Sequence, residues 1–218
     1  MTSTAEGRNK LGLVGTGMVG TSFAYAVMQR GIANELVLID ANRARAEAEV
    51  MDLNHGLPFV RPMRISVGDY ADLAGAAVTV ITAGAAQRPG ETRLQLLERN
   101  AAIMREIIPA IVRHNPDGIT LIATNPVDIM TYIALQESGL PPERVIGSGT
   151  ILDTARFRYL LGEHYNVDPR SIHAYIVGEH GDSELAPVEP GEHRGCAALR
   201  LSLRRRSRVR SGGAAADL

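Results

Sequence analysis

The chain has 218 residues and a formal net charge of −1, with 45% hydrophobic and 22% charged residues, as in a folded globular protein. This charge balance and an aromatic content of only 4% disfavour nucleic-acid binding, which needs a basic surface or stacking rings. Cys196 is the only cysteine, so no intrachain disulfide can form. The sequence has no apolar run of roughly 18 residues and no signal-peptide core at its polar start. We therefore predict a cytoplasmic protein without nucleic-acid or membrane partners.

The predicted elements alternate between strands and helices. In chain order they are a strand at 11–14, a helix at 18–30, a strand at 35–40, a helix at 43–54, a strand at 78–82, a helix at 94–114, a strand at 119–123 and a helix at 127–138. This alternation predicts an α/β fold, a doubly wound parallel sheet of the Rossmann type with helices on both faces.

A second region follows, with a predicted helix at 152–164 and a predicted strand at 172–177. We expect a dinucleotide-binding domain over 8–147 and an incomplete α+β substrate or catalytic domain over 148–188. The stretch 189–218 is arginine-rich, has an end rich in glycine and alanine, and has too few large apolar residues for a core. We expect this tail to be disordered.

A glycine-rich turn follows the first predicted strand. Gly15, Gly17 and Gly20 form a G-x-G-x-x-G pattern that opens the first helix. The first glycine permits a tight turn, the second lets the backbone approach a pyrophosphate, and the third permits close packing of helix and strand. Alone this pattern is weak, because a flexible turn also uses glycine.

Asp40 strengthens the interpretation. It ends the next strand, twenty residues beyond Gly20, where a carboxylate accepts hydrogen bonds from an adenosine ribose. Its charge would repel a 2′-phosphate, so NAD is the predicted cofactor rather than NADP. Asp40 can also cap the following helix.

Four segments together carry a family resemblance. They read TAGAAQRPGETRLQLLERN (Thr82–Asn100), TNPVD (Thr124–Asp128), LDTARFR (Leu152–Arg158) and GEHGDSE (Gly178–Glu184). In this order they resemble the lactate and malate dehydrogenases, over about residues 1–187. The resemblance implies reversible hydride transfer between NADH and a 2-keto acid, the last step of anaerobic glycolysis when the product is lactate.

The resemblance also assigns catalytic roles. His180 matches the acid–base histidine, and Asp153 matches the carboxylate that orients it. Arg156 matches the guanidinium that binds the substrate carboxylate through two parallel hydrogen bonds. Asp153 and Arg156 are three residues apart, which puts them on one helix face. Arg93 matches the arginine that polarises the keto oxygen.

The substrate follows from the lid segment at 85–90, which contains Gln87. In the resemblance this residue faces the C3 group of the substrate, where malate dehydrogenases place an arginine for a second carboxylate. A neutral glutamine favours pyruvate over oxaloacetate. Asn125 and Asp128 are the remaining expected substrate contacts. We therefore expect an L-lactate dehydrogenase, with a malate dehydrogenase or an inactive NAD-binding fragment as the alternatives.

The expected cofactor contacts form a larger set, and we expect no metal. They are Gly15, Gly17, Met18, Val19, Gly20, Asp40, Arg45, Tyr70, Gly84, Ala85, Ala123, Asn125 and Ser148.

The family pattern is expected to end near residue 188, as in a truncated or frameshifted product with little or no activity. The resemblance implies a homotetramer for a full-length chain. It also implies activation by fructose 1,6-bisphosphate bound between subunits, with Arg158 and His173 at the matching allosteric positions.

Overall fold

The computed structural model describes residues 9–187. The chain divides into two compact units, with the boundary between Ser148 and Gly149. The predicted tail at 189–218 lies outside the described residues. No helix among residues 9–187 is both long and apolar enough to cross a membrane.

The first unit is built on a six-stranded sheet in which every pairing is parallel. The strands are β1 (Lys10–Val14), β2 (Glu35–Ile39), β3 (Arg64–Val67), β4 (Val78–Ile81), β5 (Ile119–Ile122) and β6 (Val145–Gly147), in the spatial order β3-β2-β1-β4-β5-β6. The order reverses between β1 and β4, the position at which doubly wound sheets bind their ligands. The predicted α/β fold is confirmed.

Helices connect the strands and cover both faces of the sheet. They are α1 (Met18–Arg30), α2 (Arg43–Gly56), α3 (Arg93–His114) and α4 (Val127–Ser138). Alternate residues of one strand enter two different hydrophobic clusters: Leu13 packs with α1 and α2, and Val14 packs with α3 and α4. The sheet is therefore buried on both sides, as its continuous apolar strands predict.

The second unit contains α5 (Ile151–Tyr165), a 3-10 helix (Pro169–Ser171) and otherwise irregular backbone in its described part. The strand predicted at 172–177 is wrong, since only an isolated antiparallel bridge joins Val177 and Leu185 there. Two threonine side chains, one at the N-cap of α5 and one in its first turn, bind this backbone instead. The Thr150 hydroxyl donates to Ile176 O at 2.7 Å, and Ile176 N donates to the Thr154 hydroxyl at 3.0 Å.

Candidate active site

The glycines of the phosphate-binding turn have distinct structural roles. Gly15 has φ of +101°, and a Cβ there would lie 2.4 Å from the backbone nitrogen of Ala83. A Cβ on Gly20 would lie 2.0 Å from the carbonyl oxygen of Gly15. Gly17 has nothing within 4 Å of its Cβ position, so the surface there is open to a ligand. Gly15 and Gly20 thus allow close backbone packing within the turn, and Gly17 leaves its outer surface accessible.

The N-terminus of α1 borders this open surface. Gly17 is its N-cap and provides no side-chain cap, so the first N–H groups of the helix point outward with their partial positive charge. The predicted contact residues Met18 and Val19 are 85% and 61% exposed. Backbone donors at an open helix start are suited to bind a pyrophosphate.

Asp40 lies just beyond the end of β2 and is bonded to the turn. Its Oδ2 accepts hydrogen bonds from the N–H and the hydroxyl of Thr16, at 2.7 and 2.8 Å, and its Oδ1 accepts one from Asn42 N at 2.8 Å. Burial raises the pKa of the Asp40 carboxyl, but these donors and the charge of Arg45 outweigh burial and lower the pKa below its usual value. Asp40 is therefore held as a carboxylate.

A pocket of about 480 Å³ opens at the carboxyl ends of β1, β2 and β4. Six of the predicted cofactor contacts line it: Gly15, Gly17, Asp40, Arg45, Tyr70 and Gly84. The pocket also has a wall that the sequence did not identify, formed by Thr82, Ala83, Ile103, Glu106 and Ile107. Burial raises the pKa of the Tyr70 phenol, and the charge of Glu106 adds to this effect. The neutral phenol and the apolar side chains of Ile103 and Ile107 are suited to contact a flat, uncharged ring.

The remaining predicted cofactor contacts lie at the ends of neighbouring strands. Ala123 follows β5 and donates its N–H to Ile81 O at 2.8 Å, and Ser148 follows β6 and donates to Ile122 O at 2.8 Å. A Cβ on Gly84 would lie 2.7 Å from the Thr124 side chain, so the loops after β4 and β5 are close together.

Asn100, which the sequence did not single out, joins these two loops. It lies on α3 with only 3% of its surface exposed. Its side-chain oxygen accepts a hydrogen bond from Ala85 N at 2.8 Å, and its side-chain nitrogen donates to Asn125 O at 3.0 Å. One buried amide thus fixes the backbone of both loops.

The lid segment is organised by Glu91, which was also missed. The Glu91 carboxylate accepts hydrogen bonds from Arg99 at 2.6 Å and from Arg88 N at 2.8 Å, and both lower its pKa. The Gln87 side chain donates to Glu91 O at 2.8 Å and is exposed. Arg93 is the exposed first residue of α3.

The second unit contains the predicted acid–base pair. His180 Nδ1 lies 2.5 Å from Asp153 Oδ2, and Arg156 donates to Asp153 Oδ1 at 3.2 Å. Asp153 is 9% exposed, whereas the Arg156 side chain is 62% exposed. A buried carboxylate thus binds the imidazole on one oxygen and an accessible guanidinium on the other.

Glu184 extends this cluster. In the described part of the chain, Asp153, His180 and Glu184 have ligand-type atoms within 4.8 Å of one another. Both oxygens of Asp153 already bind His180 and Arg156. The absence of a metal stays a prediction.

Arg158 has partners other than this pair. Its Nε donates to Ala174 O at 2.8 Å, and its guanidinium carbon lies 4.7 Å from the centre of the Tyr175 ring. His173, beside this contact in the chain, is exposed. Arg156 and Arg158 thus bind different partners, as their two-residue spacing on a helix predicts.

The doubly wound sheet defines a dinucleotide-binding class of protein, since a glycine-rich turn and a strand-end carboxylate lie at its carboxyl edge. Residues 9–147 match the family model described as lactate/malate dehydrogenase, NAD binding domain, and residues 150–199 match the alpha/beta C-terminal domain of the same family. The chain therefore belongs to the lactate/malate dehydrogenase family, and NAD is the cofactor of its first domain. The second match extends past residue 188, near which the pattern was expected to end.

Curated relatives and solved structures agree with this membership. L-lactate dehydrogenase 1 of Clostridium acetobutylicum is 54% identical over 81% of this chain and 56% of its own length. L-lactate dehydrogenase 2 of Bacillus cereus is 58% identical over 83% of this chain and 58% of its own length. The minor L-lactate dehydrogenase of Enterococcus mundtii superposes with a TM-score of 0.81 at 49% identity, over 83% of this chain and 58% of that structure.

The chain thus spans under three fifths of the length of these relatives.

Proposed function

We propose that this chain carries the NAD-binding and acid–base parts of an L-lactate dehydrogenase, which transfers a hydride reversibly between NADH and pyruvate to give (S)-lactate. The observation that carries the proposal is the 2.5 Å contact between His180 Nδ1 and Asp153 Oδ2. Such a pair can supply or remove the proton that must accompany hydride transfer at a carbonyl carbon.

The NAD contacts are proposed to come from the first unit. The bound cofactor supplies or accepts the hydride at its nicotinamide ring. The α1 N-terminus would hold the pyrophosphate, and the Asp40 carboxylate would accept hydrogen bonds from the adenosine ribose. Backbone groups after β4 and β5, held by Asn100, would position the nicotinamide side.

The proton is proposed to move through His180. Because Nδ1 faces Asp153, the atom that exchanges a proton with the substrate oxygen is assigned to Nε2. Asp153 fixes the ring orientation and stabilises the imidazolium that forms when lactate is oxidised. Burial of Asp153 strengthens this interaction, since the surrounding dielectric is lower than that of water.

The substrate carboxylate is proposed to bind Arg156. The contact of Arg156 with Asp153 anchors one nitrogen and leaves the exposed end of the guanidinium for a carboxylate. Arg93 is proposed to polarise the keto oxygen, and Asn125 and Asp128 are the other proposed substrate contacts. These roles rest on the match to the family pattern.

Lactate is favoured over malate because Gln87 has no charge to offer a second carboxylate. The names of relatives at 54–58% identity support the same choice. The competing functions are malate dehydrogenase activity and NAD binding without turnover.

NADH binding and turnover separate these functions. We expect saturable NADH binding, and we expect pyruvate rather than oxaloacetate to drive any oxidation of NADH. Faster turnover of oxaloacetate would favour malate dehydrogenase. Binding without turnover of either acid would favour the fragment.

An allosteric site at Arg158 and His173 is also proposed. The Arg158 side chain bonds Ala174 O, whereas Arg156 bonds Asp153, so Arg158 is the proposed cation for a second surface between subunits. In a complete chain, fructose 1,6-bisphosphate should lower the pyruvate concentration for half-maximal rate. Unchanged activation in Arg158→Ala and His173→Ala variants would place the site elsewhere.

A further inference from the structure

Thr16 lies between the first two glycines of the phosphate-binding turn and has no exposed surface. Both of its hydrogen-bond donors go to one atom of Asp40. The Thr16 N–H lies 2.7 Å and its hydroxyl 2.8 Å from Oδ2. These contacts join residues that are 24 positions apart in the chain.

Two donors on Oδ2 fix the rotation of the Asp40 carboxylate. Each carboxylate oxygen accepts about two hydrogen bonds, so Thr16 fills Oδ2. Oδ1 accepts only Asn42 N among the described contacts, and it therefore keeps acceptor capacity. The Asp40 side chain lines the pocket at the carboxyl ends of β1 and β2, where this oxygen can meet a ligand.

We propose that Thr16 is a positioning residue whose hydroxyl sets the preference for NADH over NADPH by holding the Asp40 carboxylate in place. This inference rests on the NAD-dependent function proposed above. A fixed carboxylate accepts a hydrogen bond from the ribose diol of NADH and repels the 2′-phosphate of NADPH. Without the hydroxyl, the carboxylate gains rotational freedom, and both effects weaken.

The preference for NADH over NADPH distinguishes a positioning role of Thr16 from a merely structural one. NADH and NADPH share the pyrophosphate, so damage to the turn would weaken both nucleotides equally. Loss of the Asp40 orientation would weaken NADH and leave NADPH unchanged or slightly stronger. The ratio of the two dissociation constants therefore reports on Thr16 acting through Asp40.

The test is a fluorescence titration of the 218-residue chain with each nucleotide at one ionic strength. Thr16→Val removes the hydroxyl and keeps the side-chain shape. We expect about tenfold weaker NADH binding, the scale of one lost hydrogen bond to a charged group, with NADPH binding unchanged. Thr16→Ser restores the hydroxyl and should restore the ratio.

Thr21→Val is the matched control. The Thr21 hydroxyl donates to Gly17 O at 2.6 Å in the same turn, and its hydrogen bonds in the described chain do not include Asp40. This variant should keep the normal ratio. Thr16→Ala provides a second deletion of the hydroxyl if circular dichroism shows that Thr16→Val does not fold.

Asp40→Ala separates the possible failures. It should abolish the preference, and adding Thr16→Val to it should change nothing further. If Asp40→Ala abolishes the preference but both hydroxyl deletions retain it, the role of Thr16 is wrong and the proposed function stands. An equal loss for both nucleotides in the hydroxyl deletions also overturns the role. If the unmodified chain binds neither nucleotide, the proposed function and this inference fail together.

Discussion

The hydrogen bonds of the Asp40 carboxylate should make the free energy of unfolding depend on pH. Three donated hydrogen bonds hold its carboxylate, and its pKa in the folded chain is lowered. A carboxyl with a lowered folded-state pKa stabilises the fold fully above its unfolded-state pKa, and this contribution is lost as the pH falls through the folded-state value. Asp40→Asn should therefore lose less stability than the unmodified chain as the pH falls from about 5 through the folded-state pKa, which lies below the usual value for aspartate.

Urea denaturation at a series of pH values measures this difference. Asp117→Asn is a suitable control, because its side chain is 74% exposed and surface pairs contribute little. Identical pH profiles for Asp40→Asn and the unmodified chain would show that the Thr16 and Asn42 contacts do not favour the charged form.

Gln87 carries the prediction on substrate choice. Replacing it with arginine gives the second carboxylate of oxaloacetate a cationic partner and leaves the cation unpaired with pyruvate. In a chimaera that continues through the C-terminal domain of the Bacillus cereus relative, Gln87→Arg should shift kcat/KM toward oxaloacetate by about ten- to hundredfold, the range of one hydrogen bond to a charged group. Arg88→Gln, which alters the next residue, should not produce this shift. An unchanged ratio would mean that Gln87 does not discriminate.

Single residues of the site were predictable where they belong to a motif. His180 and Asp153 were paired from the family pattern, and the structure brings them to 2.5 Å. Thr16 and Asn100 were not identified, because their importance comes from partners distant in sequence: Asp40 for Thr16, and Ala85 and Asn125 for Asn100. The presence of a threonine or an asparagine in the sequence does not indicate which distant residue it will bind.

Among the elements, helix α3 contains Asn100, which joins the loop after β4 to the loop after β5. Asn100→Ala would leave Ala85 N and Asn125 O without their buried partner, at about 1–3 kcal/mol for each group. We expect the free energy of unfolding to fall by about 2–4 kcal/mol, since water can reach part of the gap. Urea denaturation measures this loss.

Arg105→Ala on the same helix is the control for the Asn100 prediction. Its ion pair with Glu137 spans 3.4 Å with the Arg105 side chain 61% exposed, so its loss should cost less than about 1 kcal/mol. Equal losses in the two variants would show that the Asn100 bridge contributes no more than a surface contact.

The elements themselves were predictable where their sequence has a continuous apolar or helical pattern. Helices α1 and α4 begin and end at the predicted residues, because each has a long pattern and a glycine after its last residue. The edge strands β3 and β6 were missed. Strand β3 has four residues that include Arg64 and Ser66, and β6 has only three residues that end in a glycine. Strands β4 and β5 also have four residues, but three of the four are apolar in each, so their pattern is recognisable. The strand predicted at 172–177 was wrong because an apolar run alone does not provide a neighbouring strand.

At the scale of the whole molecule, the hydrophobic core belongs to the first unit. Among residues 9–187 the buried hydrophobic side chains all lie between Leu13 and Val145. They form two clusters, one on each face of the sheet. In α5 the buried residues are Asp153 and Gly162, which contribute little apolar area. The first unit therefore has the burial needed for a cooperative fold, whereas the described part of the second unit does not.

The core distribution predicts that residues 1–148 fold and bind NADH on their own. Every proposed cofactor contact lies in this range, and the pocket of about 480 Å³ is lined by its residues alone. We expect the fragment to unfold cooperatively in urea and to bind NADH within about threefold of the 218-residue chain, a difference below about 1 kcal/mol. Residues 149–218, produced separately, are the matched comparison and should show no cooperative transition. In the described part of this unit, residues 149–187, no hydrophobic side chain belongs to the buried core and could offset the entropy of ordering the chain. If the 1–148 fragment fails to unfold cooperatively, or if it folds but loses NADH, then residues beyond Ser148 contribute to the core or to the cofactor site.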